Sequence, residues 1–352
     1  MLQIAKMNLN DRIKSFELLG NLLRRYHEDS SEKEIQPFIA AARIAHSENQ
    51  WFTPYNIRIA LNNLGEALHT EHLSTWLSPY RQKLINPFEQ KTIGVVMAGN
   101  IPAVGFHDFL CVLIAGHRLK ARVSSSDARL LPAMADFLST CLPEWHENIT
   151  FVSGKLENFD AIIATGSNNT SRYFDYYFGK YPHIIRKNRN SIAIITGDEN
   201  GEELEKLADD IMFFFGMGCR SISKLYVPTG YDFTKMISAL RKYEPYSNHN
   251  KYRNNYDYAR SIFMMNQLPV IDTGFLLIKE DQSVTSRIAV LNYEKYVEIP
   301  DVLNAINLNR EAIQCVVCHR SVAPDVIPPG SAQKPAFWEY ADEVDTLDFL
   351  LS

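Results

Sequence analysis

The chain has 352 residues, with 46% hydrophobic and 22% charged side chains and a formal charge of −5, which allows a sizeable core divided between two lobes. No dense Lys/Arg run offers the footprint of a nucleic-acid or anionic-lipid binder, and no apolar run is long enough to span a bilayer, so neither nucleic acid nor membrane is expected as a partner. The start lacks a basic segment followed by a continuous apolar one, pointing to a cytoplasmic protein whose five cysteines stay reduced.

Residues 1–85 carry apolar positions at helical spacing, as in "DRIKSFELLGNLLRRY" and "YNIRIALNNLGEAL", and read as a helical section packed on the lobe that follows. Over residues 86–203 short apolar runs alternate with helical segments: "KTIGVVMAGN", "HRLKARVSSSD", "ITFVSG", "DAIIATGS" and "SIAIITGDE". Such alternation predicts a largely parallel α/β sheet, and the small polar residues at the run ends suit a nucleotide at the carboxyl ends of strands. Residues 204–328 repeat the pattern as a second α/β lobe, with strands expected at "KLYVP", "GFLLIKE", "SRIAVLNYE" and "IQCVVCH". Residues 329–352 form a C-terminal tail.

Two cysteine segments compete for the chemistry. "CVVCH" at 315–319 has the spacing of c-type haem attachment, but its Val-Val pair favours a buried strand with Cys315 and Cys318 on opposite faces over haem or zinc ligation. In "FFFGMGCRS" the glycines at 216 and 218 leave the backbone around Cys219 uncrowded. Cys219 is either a small buried hydrophobe or a nucleophile whose own N–H faces a substrate oxygen. A helix starting there, with Arg220 beside it, would lower the thiol pKa. Phe213 to Phe215 are expected in the core, with an acyl-chain lining as the alternative, and Tyr256 is a further candidate for that lining.

Asn100 in "MAGNIPA" lies between a strand and a helix expected to open at Pro102, and either donates to an oxygen or caps that helix. Lys120 and Arg122, followed by three serines, suit a ribose or phosphate, or decorate an edge strand. Thr165, Gly166 and Ser167 form either a phosphate-contacting turn or an ordinary cap. His107 and Asp108 are adjacent on a helix and are read as surface or packing residues. No GxGxxG, GxSxG, HExxH or P-loop motif is present, and no metal site is expected.

The ordered set of Asn100 in "GNIPA", Lys120 in "LKARVSSSD", "ATGS" at 164–167 and the glycine-spaced Cys219 resembles the aldehyde dehydrogenase superfamily. Within it, "ATGSNNTSRYFDYYFGKYPHIIRKNRNSIAII" and "AQKPAFWEYADEVDTLDFL" look like the acyl-CoA reductase family typified by the luciferase-associated fatty acid reductase. The resemblance covers most of the chain after about residue 90. It implies an aldehyde dehydrogenase-like fold with a nicotinamide lobe, a thiol lobe and the active site between them. Cys219 then takes the acyl group, and Asn100 with the Cys219 N–H holds the oxyanion. Lys120, Arg122 and Ser124 meet the cofactor ribose or phosphate, and Thr165, Gly166 and Ser167 lie beneath the pyrophosphate.

Two departures shape the expected reaction. Hydrolytic members activate water with a glutamate, where this chain reads "RKNRNSIAII" with Asn188 and Asn190, so an acyl-cysteine would survive for reduction. Ser124 stands where NAD-preferring relatives often carry an acid, which favours NADPH, with NADH the alternative. Glu294 and Glu298 are candidates for the nicotinamide-ribose carboxylate. The expected activity is reduction of an acyl thioester, such as acyl-CoA, to an aldehyde, by a homo-oligomer that takes its acyl group from the thioester or from a donating enzyme. The rivals are a non-catalytic or acyl-holding subunit and an acyltransferase.

Overall fold

The computed structural model describes residues 7–86, 89–166 and 168–352, residues 168 and 169 by their backbone alone. Ser167 therefore lies outside the described residues. The chain divides into two compact units, one of Met1–Lys187 with Ala336–Ser352 and one of Asn188–Pro335.

The first unit opens with five helices, α1 (Leu9–Arg24), α2 (Gln36–Glu48), α3 (Pro54–Ala67), α4 (Thr70–Leu77) and α5 (Arg81–Ile85). Their ends are written in the sequence. The Asn8 side chain accepts from the Asp11 N–H, and Thr53 caps a helix that has Pro54 in its first turn. The βα alternation then gives β1 (Thr92–Val96), α6 (Phe106–Ala115), β2 (Arg118–Arg122), α7 (Leu130–Cys141), α8 (Trp145–Asn148), β3 (Ile149–Phe151), β4 (Ala161–Thr165), α9 (Asn168–Phe178) and β5 (His183–Arg186). These strands form one parallel sheet in the order β3-β2-β1-β4-β5. Strand β2 is thus interior, not the edge strand considered for its Lys/Arg content.

Helix α6, "FHDFLCVLIA", is apolar on almost every side and buried to match. It packs in a core where Phe16 meets Trp145 edge-on at 5.8 Å and Phe109 at 6.2 Å. Asp108 is no surface residue: it forms a buried ion pair with Arg186, whose Nη2 also donates to Thr346 Oγ1 at 2.8 Å. His107 is held by the Phe337 carbonyl, 2.9 Å from Nε2. Residues 336–352, expected to form a separate tail, are therefore part of this unit, and end in α14 (Thr346–Leu350).

The second unit holds β6 (Asn190–Ile194), α10 (Gly201–Met212), β7 (Ile222–Pro228), α11 (Thr234–Leu240), α12 (Asn250–Met265), β8 (Val270–Asp272), β9 (Leu277–Glu280), β10 (Val290–Tyr296), α13 (Ile299–Leu308), β11 (Ile313–Val317) and β12 (Val326–Ile327). The sheet order is β12-β11-β6-β7-β10-β9-β8, parallel except for β8 against β9. Helix α10 begins with a complete capping box between Asn200 and Glu203. The boundary expected at residue 203 falls instead at 187/188, because β6 pairs with β7 and β11. A strand's apolar pattern announces a strand without saying which sheet it joins.

Candidate active site

In the first sheet, chain order reverses between the neighbours β1 and β4, and ligands of open α/β sheets bind outside the carboxyl ends of strands at such a reversal. Asn100 follows β1, Ser124 follows β2, and Thr165 and Gly166 close β4. The helix after β1 begins at Phe106, with Gly105 as its N-cap, so Pro102 does not open it and Asn100 does not cap it. Asn100 sits in an exposed bend.

This bend is built against the loop after β2. A Cβ on Gly99 would lie 2.5 Å from the Ser124 Cβ, so only glycine permits the approach. Ala103 takes φ +55, a left-handed backbone costing about 1–2 kcal/mol for a residue with a Cβ. Its N–H donates to Asp127 Oδ2 at 2.7 Å. Asp127 is buried, and its other oxygen, Oδ1, is buried with no partner among the described residues. Burial pushes this carboxyl up to about 7, although the Ala103 N–H pulls the other way.

The cofactor candidates separate on inspection. Lys120 lies mid-strand and its Nζ donates to the Glu157 carbonyl at 2.7 Å, whereas Arg122 is the exposed last residue of β2. At the end of β4, the Gly166 N–H donates to the Arg186 carbonyl at 3.2 Å. A Cβ on Gly166 would meet Phe174 at 2.8 Å and Thr170 at 3.1 Å, so glycine lets this turn close on α9. A strand reversal, glycine-tight turns and a helix after β4 suit the pyrophosphate of a dinucleotide, without the GxGxxG signature.

In the second unit α10 runs into the turn that carries Cys219. Phe214 and Phe215 adopt φ +56 and +58, followed by Gly216 at +73, so three consecutive residues are left-handed. Two phenylalanines in that region store strain of order 1–2 kcal/mol each, which the packing must hold. Phe215 does so against Tyr246, His249 and Tyr252, at ring-centroid distances of 4.3, 4.7 and 5.7 Å. Phe214 and Phe215 are thus core residues, whereas Phe213 is only half-buried, and Tyr256, considered for an acyl-chain lining, is buried with its hydroxyl donating to Asp272. No helix begins at Cys219, contrary to expectation: it occupies a turn that leads directly into β7.

Both carbonyls beside Cys219 are fixed. The Gly218 oxygen accepts from the Ser221 N–H at 3.0 Å and the Cys219 oxygen from Ser191 Oγ at 3.0 Å. Cys219 is half-buried, whereas Cys111, Cys315 and Cys318 are buried. Burial pushes the thiols of Cys111 and Cys318 up. Arg220 donates from Nε to the Ala332 carbonyl, in a segment held by buried Asp210, which accepts from the Gly330 and Ala332 N–H groups.

The remaining candidates have structural partners. Cys315 lies in β11 and Cys318 in a separate apolar cluster with Ile192, Ile194 and Val316, as expected of a buried strand. Asp198, Glu199 and His319 bring potential metal-ligand atoms within 4.8 Å of one another. Their carboxylates are already engaged, with His319 3.2 Å from each, Arg320 against Asp198, and the Thr196 and Gly197 N–H groups on Glu199. Glu294 accepts from Lys224 Nζ at 2.5 Å, and Glu298 precedes α13 without capping it through its side chain. Sequence reasoning missed Asp127 and Ser191. Each is one common polar residue whose meaning depends on a partner far along the chain.

This architecture occurs among solved structures. An aldehyde dehydrogenase of Mycobacterium tuberculosis, solved with NAD+, superposes with a TM-score of 0.59 at 14% identity over 86% of this chain and 71% of that one. The chain has the aldehyde dehydrogenase fold. The same fold appears in an NADP-dependent enzyme of E. coli, with a TM-score of 0.60 at 13% identity, covering 86% of this chain and 71% of that chain. It also appears in aldehyde dehydrogenase C of Pseudomonas syringae, solved with NAD+ and octanal, at 0.59 and 11%, covering 86% and 70%. No protein-family model matches the sequence, and no curated protein does. Among the described residues, no helix is long and apolar enough to cross a membrane.

Proposed function

We propose that the protein is a nicotinamide-dependent oxidoreductase that reduces an acyl thioester, of the acyl-CoA type, to an aldehyde through an acyl group carried on Cys219. The observation that carries this reading is the Cys219 turn, a half-buried thiol between two fixed carbonyls in a fold that aldehyde dehydrogenases share. The Cys219 sulfur attacks the thioester carbonyl, whose oxygen takes up negative charge. The bond to the donor sulfur then breaks and the donor thiolate leaves, so the acyl group remains as a thioester on Cys219. Asn100 and the Cys219 N–H are the proposed donors to that oxygen. A bound nicotinamide cofactor supplies the hydride that turns the acyl-cysteine into aldehyde and frees the thiolate.

The segment 184–194 has no carboxylate to activate water. Asn190 is occupied by donating to Thr285 Oγ1 at 2.9 Å, which supports reduction over hydrolysis. NADPH is the proposed cofactor. Arg122, Ser124, Thr165, Gly166 and Ser167 are the proposed contacts, and Lys120 takes a lesser part because its ammonium is tied to the Glu157 carbonyl.

The test is intact-mass measurement after mixing with acyl-CoA, alongside NADPH absorbance. Wild type is expected to gain one acyl mass and to oxidise NADPH, and Cys219→Ser to do neither. An adduct that persists in Cys219→Ser moves the nucleophile elsewhere. Adduct formation in wild type with oxidation of neither NADPH nor NADH makes the protein an acyltransferase or an acyl-holding subunit, which transfer of the acyl group to a second thiol tells apart.

A further inference from the structure

We propose that Ser191 is a positioning residue for Cys219, through which the "CVVCH" strand acts on the thiol turn. This rests on the reading of Cys219 as the acyl acceptor. The Ser191 side chain is fully buried, and its hydroxyl has its one donor and both acceptor sites used. It donates to the Cys219 carbonyl at 3.0 Å, and accepts from the Cys315 N–H at 3.2 Å and from the Cys315 thiol at 3.0 Å. A hydroxyl held on three sides cannot rotate, so the Cys219 carbonyl is fixed to β6 and, through β6, to β11.

The backbone is shaped for this contact. The β6–β7 register slips between Ser191 and Ile192, and the β11–β6 register slips between Ile313 and Val316. Irregularities of this kind re-aim a side chain out of its regular direction, and here they flank Ser191 in both pairings. On the other side of the thiol, the Gly218 carbonyl is held by the Ser221 N–H, which sets the plane of the peptide that contains the Cys219 N–H. Ser191 thus completes a clamp on both peptides flanking the sulfur. The positions of that sulfur and that N–H relative to a carbonyl oxygen decide how fast an acyl group transfers.

The test uses p-nitrophenyl acetate, a small activated ester that needs neither acyl-CoA nor cofactor, and reads nitrophenolate release with the acetyl mass on Cys219. Ser191→Ala is expected to slow acetyl transfer about tenfold while leaving alkylation of Cys219 by iodoacetamide within about threefold, because alkylation generates no oxyanion. Ser223 is the matched control: it is buried on the neighbouring strand and donates to the Ser191 and Val284 carbonyls. Ser223→Ala is expected to lower the melting temperature without changing acetyl transfer. Cys315→Ser, which keeps a donor to Ser191, is expected to retain the wild-type rate. If Ser191→Ala does not fold, Cys315→Ala takes its place with an expected fall of about threefold. Wild-type acetyl transfer in Ser191→Ala or in that substitute overturns the proposal. So does an equal loss of transfer and alkylation, which marks a general loosening of the turn. Acetyl transfer with oxidation of neither NADPH nor NADH on acyl-CoA refutes the reductase reading alone. A wild-type protein that accepts no acetyl group refutes both.

Discussion

Replacing Asp127 by asparagine should stabilise the protein at pH 8 and not at pH 5. Asp127 is buried, accepts one N–H on Oδ2 from Ala103 and has no partner on Oδ1 among the described residues. Burial raises its pKa to about 7, against about 3.9 in an unfolded chain. A raised carboxyl pKa means that the folded state binds the proton more tightly. This contribution to stability is fully present below pH 4, is lost as pH rises through 7, and levels off above. About three pKa units correspond to roughly 4 kcal/mol at full ionisation. Asparagine keeps an acceptor for the Ala103 N–H and never ionises, but its buried amide leaves a donor without a partner at a cost of about 1–3 kcal/mol. The net expectation is a gain of about 1–3 kcal/mol at pH 8, shrinking to little net change near pH 5, where the wild type has already lost roughly 1.5 kcal/mol, and turning into a loss of about 1–3 kcal/mol below pH 4. Urea denaturation of both proteins at several pH values reads this directly. A difference between variant and wild type that does not change from pH 5 to pH 8 would refute the assignment of a buried, reluctantly ionised carboxyl.

Two further substitutions probe the proposed chemistry. Asn100→Ala is expected to lower turnover by about two to three orders of magnitude with little change in melting temperature, since the side chain is exposed and does not cap α6. Unchanged steady-state turnover would remove it from the oxyanion site. Arg122→Ala is expected to raise KM for NADPH by about tenfold or more while leaving KM for NADH within about twofold, because a charge-assisted contact to the 2'-phosphate is worth about 1.5–3 kcal/mol. An equal effect on both cofactors would place Arg122 elsewhere.

Much of the two sheets was legible because strands such as β1, β4 and β6 are short apolar runs ending in small polar residues, and the β-branched Val-Val pair marked "CVVCH" as part of a buried strand, β11 over Ile313–Val317, while β5, β8 and β12 were not picked out. The unit boundary was not legible. "NSIAI" has the composition of β1 and β4, yet its hydrogen bonds go to β7 and β11, and sheet membership is decided by partners distant in sequence. Cys219 remained ambiguous on composition alone, since a glycine-spaced turn suits a filler as well as a nucleophile. The structure adds a pair of fixed carbonyls beside the thiol, one of them held by a serine 28 residues away, and the proposed nucleophile reading rests on that pair.

Asn100 and Cys219 also share a feature that no motif spells. Each follows or precedes left-handed backbone at residues that have a Cβ, Ala103 in one case and Phe214 and Phe215 in the other. Each such turn is held by groups from another element, Asp127 after β2 and the aromatic ring cluster of α12 with Tyr246. Glycine would relieve the strain at Ala103 with little loss of burial, whereas at Phe214 and Phe215 it would relieve about 1–2 kcal/mol and forfeit core packing worth about 3–5 kcal/mol for each ring, so the second turn is held in its strained shape by the packing itself. A backbone kept out of its relaxed shape by surrounding packing has fewer ways to move. Donors to a short-lived oxyanion need that restriction, because an N–H that must reorganise as charge develops loses much of its effect. On the proposed function such restriction would serve the Asn100 carboxamide and the Cys219 thiol, and Ser191, which holds the Cys219 carbonyl and not the strained phenylalanines, is where a substitution should separate activity from folding.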